Sequence, residues 1–225
     1  MTACAGTSIV SGLRSDVASG TENHMNRSFR WLLFTIAVVG FAADQATKYG
    51  MFNWLYTPGS EIGQREVIPG AFRFLVQYDP NSSSCDCAFV KWNSPVPPRV
   101  NHGALFSLGG QFKADANKFF AVVSVLAAVG ISIWGSRRST GRDKWLCISL
   151  GLILAGTVGN LFDRVVFGGV RDFLYFYLIE WPVFNVADCC LVIGAGMLLV
   201  QALFGKKTDP APAAASSPVA DPLAA

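Results

Sequence analysis

Residues 159–188 read GNLFDRVVFGGVRDFLYFYLIEWPVFNVAD and separate two strongly apolar runs. Three aspartates lie in this stretch: Asp163, Asp172 and Asp188. An ionised carboxylate inside a bilayer costs about 3 kcal/mol by insertion scales, so such residues are functional candidates by default. If the flanking runs cross a membrane, each of these aspartates needs either a structural partner or a chemical task.

The composition is that of a membrane protein. Hydrophobic residues make up 52% of the chain, charged residues only 15%, and the mean hydropathy is +0.39. Soluble domains average about 25% charged residues. The net charge of +3 is too small to indicate a nucleic-acid partner. The histidines and cysteines show no zinc-site spacing, and no nucleotide or flavin motif is present, so no metal or cofactor is expected.

Four runs with few or no charges predict four membrane-spanning helices. Three of them hold 17 or 18 uncharged residues, close to the ~20 that a spanning helix needs. The first run is shorter, but apolar residues resume soon after its end. The charged residues that bound the runs are Arg30 and Asp44, Lys118 and Arg137, Lys144 and Asp163, and Asp188 and Lys206.

Positive residues in the short connections predict the orientation, because Lys and Arg accumulate on the cytoplasmic side. With four spans, all three positive clusters fall on one side of the membrane, which makes both termini cytoplasmic. The clusters are Arg27 with Arg30, then Arg137, Arg138, Arg142 and Lys144, and finally Lys206 with Lys207.

The regions outside this domain are polar or of low complexity. We expect residues 1–26 to form a disordered extension, 27–207 the four-span domain, and 208–225 a disordered Pro/Ala-rich tail. Met25 is a plausible true start. The segment that follows it also has the basic start and apolar core of a cleaved signal peptide, although Phe41 stands where a small residue is preferred.

Two segments are predicted to lie outside the membrane, at about residues 53–117 and 163–187. In the first, FRFLVQY alternates apolar side chains from Phe72 to Tyr78, which predicts a β-strand. Pro69-Gly70 predicts a turn before it. The following NSSSCDCAFVKWNSPVPPRV (81–100) is interpreted as an irregular insertion, whose Cys85 and Cys87 form either a redox pair or a plain loop.

Helix rise places Asp163 and Asp188 at one height. The 18 residues between Lys144 and Asp163 rise about 27 Å, against a hydrocarbon core ~30 Å thick. The same sum, counted back from the positive cluster after the fourth span, gives nearly that height for Asp188. The connection that carries Asp172 returns to the same boundary, whereas Asp44 lies deeper. The carboxylates therefore converge near the extracytoplasmic surface.

Two aspartates that share a site hold one proton between them, and such a pair can cleave an amide bond without a nucleophilic side chain or a metal. The same carboxylates can also line a proton or cation path. Asp44 with Lys48 can be a simple ion pair within one helix. A hydrolase built on Cys189 and His102 has no support in the spacing. The residues alone do not select which two aspartates form a pair.

Four sequence boxes resemble the lipoprotein signal peptidase (signal peptidase II) family. They occur in the family's order, from the end of the first predicted span to the start of the fourth. One box alone is weak evidence, but the ordered set is highly specific. The boxes are DQATK (44–48), NHGALFS (101–107), GNLFDRVVFGGVRDF (159–173) and FNVAD (184–188).

The resemblance implies four transmembrane helices with a small extracytoplasmic β-sheet, in a multi-pass protein of the bacterial inner membrane. It implies an aspartic endopeptidase that needs no cofactor and cuts prolipoprotein signal peptides just before the lipid-modified cysteine. The implied partners are these substrates and membrane lipids, and a monomer is expected. The catalytic pair maps onto Asp172 and Asp188, which leaves Asp163 as a structural acid beside Arg164.

The resemblance also implies supporting residues around the two aspartates. Phe74 and Phe106 would belong to the sheet that the family lays over the substrate. The insertion at 81–100 and His102, in place of a small polar residue, depart from the family pattern and put substrate fit in doubt. The supporting residues are Asp44, Lys48, Asn101, Gly103, Asn160, Arg164 and Asn185.

Overall fold

A computed structural model describes residues 28–81, 88–103 and 113–204. Long helices dominate, joined on one side by a small sheet and a short extra helix. Single 3₁₀ turns lie at Thr140–Arg142 and Tyr177–Ile179. The elements are α1 (Arg30–Trp54), β1 (Ile62–Ile68), β2 (Phe72–Gln77), α2 (Ala88–Asn93), α3 (Lys113–Gly135), α4 (Lys144–Val166), β3 (Leu174–Tyr175) and α5 (Val186–Phe204).

Within the described residues, three helices are long and apolar enough to cross a membrane, which makes the chain a mainly helical, multi-pass membrane protein. They cover Asp115–Gly135, Lys144–Val166 and Val186–Phe204. These helices match the second, third and fourth predicted spans. The first uncharged run stops at Asp44, but α1 continues through Asp44 and Lys48 to Trp54, close to residue 53, where the first extracytoplasmic segment is predicted to begin. Both charged side chains are buried in the protein, so they do not end the helix.

Helix α4 lies at the centre of the bundle and packs against α1, α3 and α5. Leu33 of α1 meets Cys147, Leu150 and Leu154 of α4 in a buried core. Small residues allow the helices to approach closely. A Cβ added at Gly156 would lie 2.2 Å from the Ala187 carbonyl oxygen of α5, so a larger residue there would force the two helices apart.

The predicted strand is confirmed as the middle strand of a three-stranded antiparallel sheet with the order β1-β2-β3. Of the four residues that the alternation places on one face, Val76 and Tyr78 are buried and Phe72 and Phe74 are half-buried. The Tyr78 hydroxyl donates a hydrogen bond to the Phe52 carbonyl oxygen at 2.6 Å, which ties the sheet to α1. Strand β1 was not predicted. The Pro69-Gly70 turn joins it to β2, with Gly70 at φ 78°.

The described part of the insertion, residues 88–100, is more ordered than predicted. It contains α2, and Pro98 then forms a β-bridge with Tyr78 that returns the chain to the sheet. The interpretation of the segment as irregular was therefore wrong for this part. Hydrophobic periodicity failed to reveal α2 because six residues make fewer than two helical turns.

Several predictions fall outside the described residues. These are the two disordered termini, the pairing of Cys85 with Cys87, and the position of Phe106.

Candidate active site

The start of α5 is built by the FNVAD box. The Asn185 side chain accepts a hydrogen bond from the Asp188 backbone amide at 3.0 Å, and an Asp188 carboxylate oxygen accepts one from the Asn185 amide at 3.2 Å. This reciprocal arrangement is a capping box, which satisfies two amides that the first helical turn would leave unpaired. It also fixes Asp188 in the first turn of α5.

Asp172 lies in the segment that enters β3 and is half-buried. The neighbouring backbone is held on two sides: Asn101 and Val170 exchange hydrogen bonds of 2.7 and 2.9 Å, and the Phe173 amide donates to the Phe184 carbonyl at 3.0 Å. The Asp172 carboxylate accepts from the Asn101 side chain at 3.0 Å and from the Asn185 side chain at 2.7 Å.

Asn160 of α4 joins the two carboxylates into one hydrogen-bonded network. Its side-chain amide donates to Asp188 at 2.7 Å, and its carbonyl oxygen accepts from Asn185 at 3.2 Å. Asn185 in turn donates to Asp172. The structure therefore brings Asp172, Asp188, Asn101, Asn160 and Asn185 together, although they come from four separate parts of the chain.

A second, buried network of charged side chains adjoins this site. Lys48 is 2.8 Å from Asp44 and 3.2 Å from Asp163, and Arg171 is 2.8 Å from Asp163. All four side chains are fully buried. Two carboxylates face two cations, so the network is neutral as a whole. Asp44 and Lys48 do form an ion pair within one helix, but the pair extends to Asp163 of α4.

The two networks are joined through α1. Lys48 donates to the Asn160 side-chain oxygen at 3.3 Å, and Asp44 accepts from the Ala187 amide of α5 at 2.9 Å. A Cβ at Gly159 would lie 2.7 Å from an Asp44 carboxylate oxygen, so glycine is required there. Asp44 and Lys48 therefore bind two parts of the site, the start of α5 and the Asn160 side chain.

The partner of Asp163 differs from the prediction. Its carboxylate binds the Arg171 guanidinium and backbone amide, and not its sequence neighbour Arg164. Arg164 instead donates to the Asn160 backbone carbonyl at 3.2 Å and lies over the Phe120 ring. Residues 163 and 164 point in different directions because successive residues on a helix are about 100° apart.

Gly103 closes the far side of the site. Its amide donates to the Asn101 side-chain oxygen at 2.8 Å, which orients the Asn101 amide group toward Asp172. Gly103 has φ 114°, a conformation that strains other residues. A larger residue at this position would therefore strain the backbone that orients Asn101.

Asp172 opens into a pocket of about 340 Å³ between the sheet and the 99–102 segment. Burial, and then the negative charge of Asp188, raise the pKa of the Asp172 carboxyl to about 7. Within residues 28–81, 88–103 and 113–204, no three His, Cys, Asp or Glu side chains are grouped to hold a metal. Residues lining the pocket include Leu75, Gln77, Arg99, Asn101, Val170 and Val183.

Sequence reasoning missed three members of the buried network: Gln45, Asn93 and Arg171. Arg171 bonds the Gln45 and Asn93 side-chain oxygens at 2.7 Å each. Gln45 stands inside the DQATK box and Arg171 directly precedes Asp172, so both carried a positional signal. Asn93 carried none, because it lies in the insertion and outside the boxes.

Comparison with known proteins gives the same assignment as the sequence boxes. Residues 96–204 match the family described as Signal peptidase (SPase) II. The lipoprotein signal peptidase of Pseudomonas syringae pv. tomato is 35% identical over 185 residues, which cover 79% of this chain and 88% of that protein. The one of Ralstonia nicotianae is 44% identical over 170 residues, covering 75% and 82%. The chain belongs to the lipoprotein signal peptidase family.

This membership confirms the resemblance and makes the chain a member of a membrane protease family. A bacterial membrane enzyme solved at 1.9 Å by the in meso method matches with a TM-score of 0.59 and 23% identity. The match covers 81% of this chain and 99% of that one. At this identity the likeness supports the fold alone.

Proposed function

We propose that the protein is an aspartic endopeptidase that removes signal peptides from diacylglyceryl-modified prolipoproteins by cutting before the lipidated cysteine. The observation that carries this proposal is the shared partner Asn185, which donates to Asp172 and caps the helix turn that holds Asp188. Two carboxylates are thereby held at one site, beside an open pocket. Family membership supplies the substrate class.

The proposed reaction needs one proton on the pair. We assign this proton to Asp172, because burial and the charge of Asp188 raise its pKa to about 7; Asp188 then acts as the base. Asp188 takes a proton from water as the water oxygen bonds to the scissile carbonyl carbon, while Asp172 gives its proton to the carbonyl oxygen. Asp188 then protonates the leaving nitrogen, the C–N bond breaks, and Asp172 recovers its proton from the diol.

The surrounding residues have supporting roles in this scheme. Asn160 and Asn101 each hold one carboxylate in place with a hydrogen bond. Arg164 lies close enough to interact with the charges of both aspartates. Asp44 and Lys48 fix the start of α5 and Asn160 from α1.

We further infer four spans in the bacterial inner membrane, with α1 as the additional one and both termini cytoplasmic. Helix α1 has 25 residues, which rise about 37 Å, and its charges are buried against α4. The sheet and the dyad then lie at the extracytoplasmic boundary. A reporter that is active only outside the cytoplasm, fused after Phe204, should be silent, and a strong signal would contradict this topology.

The function is tested with purified protein and two forms of one prolipoprotein. The diacylglyceryl-modified form should lose the mass of its signal peptide, whereas the unmodified form should be cut far more slowly. If the correctly inserted protein does not cleave the lipid-modified substrate, the proposed peptidase function is refuted. Proton flux across proteoliposomes would then test the alternative of an ion path.

The protonation state predicts a pH dependence. Because the pKa of Asp172 is raised to about 7, the singly protonated pair exists below this pH and is lost as the pH rises through it. We therefore expect kcat/KM to fall above about pH 7, approaching ten-fold per pH unit. Initial rates between pH 5 and 9 measure this, and a profile that stays flat from pH 6 to 9 would contradict it.

A further inference from the structure

Arg171 directly precedes the proposed catalytic Asp172, and several side chains bind its guanidinium. Its guanidinium donates hydrogen bonds to Asp163, Gln45 and Asn93 at distances of 2.7 to 3.2 Å. It also lies 3.8 Å from the centre of the Phe167 ring. The side chain is fully buried, so each of these contacts restricts its position.

Asn93 is the one contact that comes from the insertion. It ends α2, is fully buried, and accepts from the guanidinium at 2.7 Å. Helix α2 is itself attached to the bundle: the Asn53 side chain of α1 donates to the Trp92 carbonyl at 2.9 Å. The Phe89 ring packs edge-on against Phe162 of α4, with centroids 5.8 Å apart. Asn93 is therefore held by α1 and α4.

We propose that the insertion positions the catalytic site, with Asn93 holding Arg171 and Arg171 holding the backbone that presents Asp172. Successive side chains of an extended segment point to opposite faces. Arg171 therefore points into the buried network while Asp172 points to the dyad. A displacement of Arg171 moves the Asp172 carboxylate relative to Asp188. This inference rests on the proposed peptidase function.

Electrostatics supports a positioning role for Asn93. The two carboxylates and two cations of the buried network already balance, so the neutral Asn93 adds no charge compensation. It supplies an acceptor for the one guanidinium nitrogen, Nη1, that bonds to neither Asp163 nor Gln45. Without it, this donor would be buried and unsatisfied, and Arg171 would shift to find another partner.

The test compares Asn93→Ala with the control Ser149→Ala. Ser149 of α4 is also buried, and its hydroxyl donates to the Trp145 carbonyl at 2.9 Å. The control therefore loses a side-chain hydrogen bond at a buried residue without removing a contact of Asn93 or Arg171. The conservative variant Asn93→Gln keeps a neutral amide oxygen that can accept from the guanidinium. For each variant, kcat and KM are measured on diacylglyceryl-modified prolipoprotein, with hydrogen exchange of the 171–174 amides.

We expect Asn93→Ala to lower kcat by on the order of ten-fold or more with little change in KM, because small misplacements of a reacting group are costly. It should also speed exchange at 171–174. Ser149→Ala should do neither, and Asn93→Gln should recover part of kcat. Equal kcat and exchange in the alanine variants would overturn the proposal. If wild type cleaves nothing, the peptidase assignment fails, and the exchange comparison alone decides the positioning role.

Discussion

Replacing Asp188 by Asn should lower kcat for prolipoprotein cleavage by on the order of 1000-fold, within the range that general acid–base catalysis contributes. Asparagine has the same shape but cannot take a proton from water. The fold should persist, because the amide oxygen still accepts from Asn160 or from the Asn185 backbone amide. Rates are measured under single turnover, and thermal unfolding in detergent checks the fold.

Asp172→Asn should have an effect of similar size, because the proton that it shares is needed at the carbonyl oxygen. The double variant should be little worse than either single one, since residues that act as a unit are not additive. Asp115→Asn is the control: Asp115 is an exposed aspartate of α3, 3.9 Å from Lys118. Full activity in either dyad variant would reject the mechanism.

The helices and the site could be predicted from the sequence to different degrees. Uncharged runs located α3, α4 and α5, because length and hydropathy are sufficient for a spanning helix. The uncharged run that predicts α1 stops at Asp44, and only the apolar residues after Lys48 indicate that the helix continues. The long-range partners that allow Asp44 and Lys48 to be buried lie on α4 and α5, more than 100 residues away.

The site residues were placed by motifs and not by periodicity. Nothing in the spacing distinguishes Asp163 from Asp172, yet the structure directs one into a charge network and the other to Asn185. Which aspartate joins the charge network depends on Arg171, and Arg171 is held in turn by Asn93 of α2, a residue far away in the sequence. The sequence signals for this network were the DQATK box and the position of Arg171 next to Asp172, and neither indicated that Arg171 binds Asp163.

The balance of that network makes Asp163 critical for stability. Asp163 is fully buried and accepts from the Arg171 backbone amide and guanidinium, and it lies 3.2 Å from Lys48. Removing its charge leaves two buried cations with Asp44 as the only carboxylate of the network. Asp44 lies at the Lys48 end, bonded to Gln45 and Ala187 as well.

Asp163→Asn should therefore reduce the free energy of unfolding by about 3–5 kcal/mol, the cost of breaking a buried ion pair from one side. Unfolding in mixed detergent micelles measures this difference. Asp115→Asn again serves as the control, because its ion pair is exposed and such pairs contribute little. Equal stability of the two variants would show that the network does not support the fold.

A second substitution separates lost charge balance from lost packing. Lys48→Met in the Asp163→Asn background removes one of the two buried cations, so that Arg171 and Asp44 balance, and keeps an unbranched side chain. If charge imbalance dominates, the double variant is more stable than the sum of the single effects predicts, by on the order of 1 kcal/mol or more. If the hydrogen bonds of Asp163 to Arg171 dominate, the two effects add, because Lys48→Met leaves those bonds unrestored.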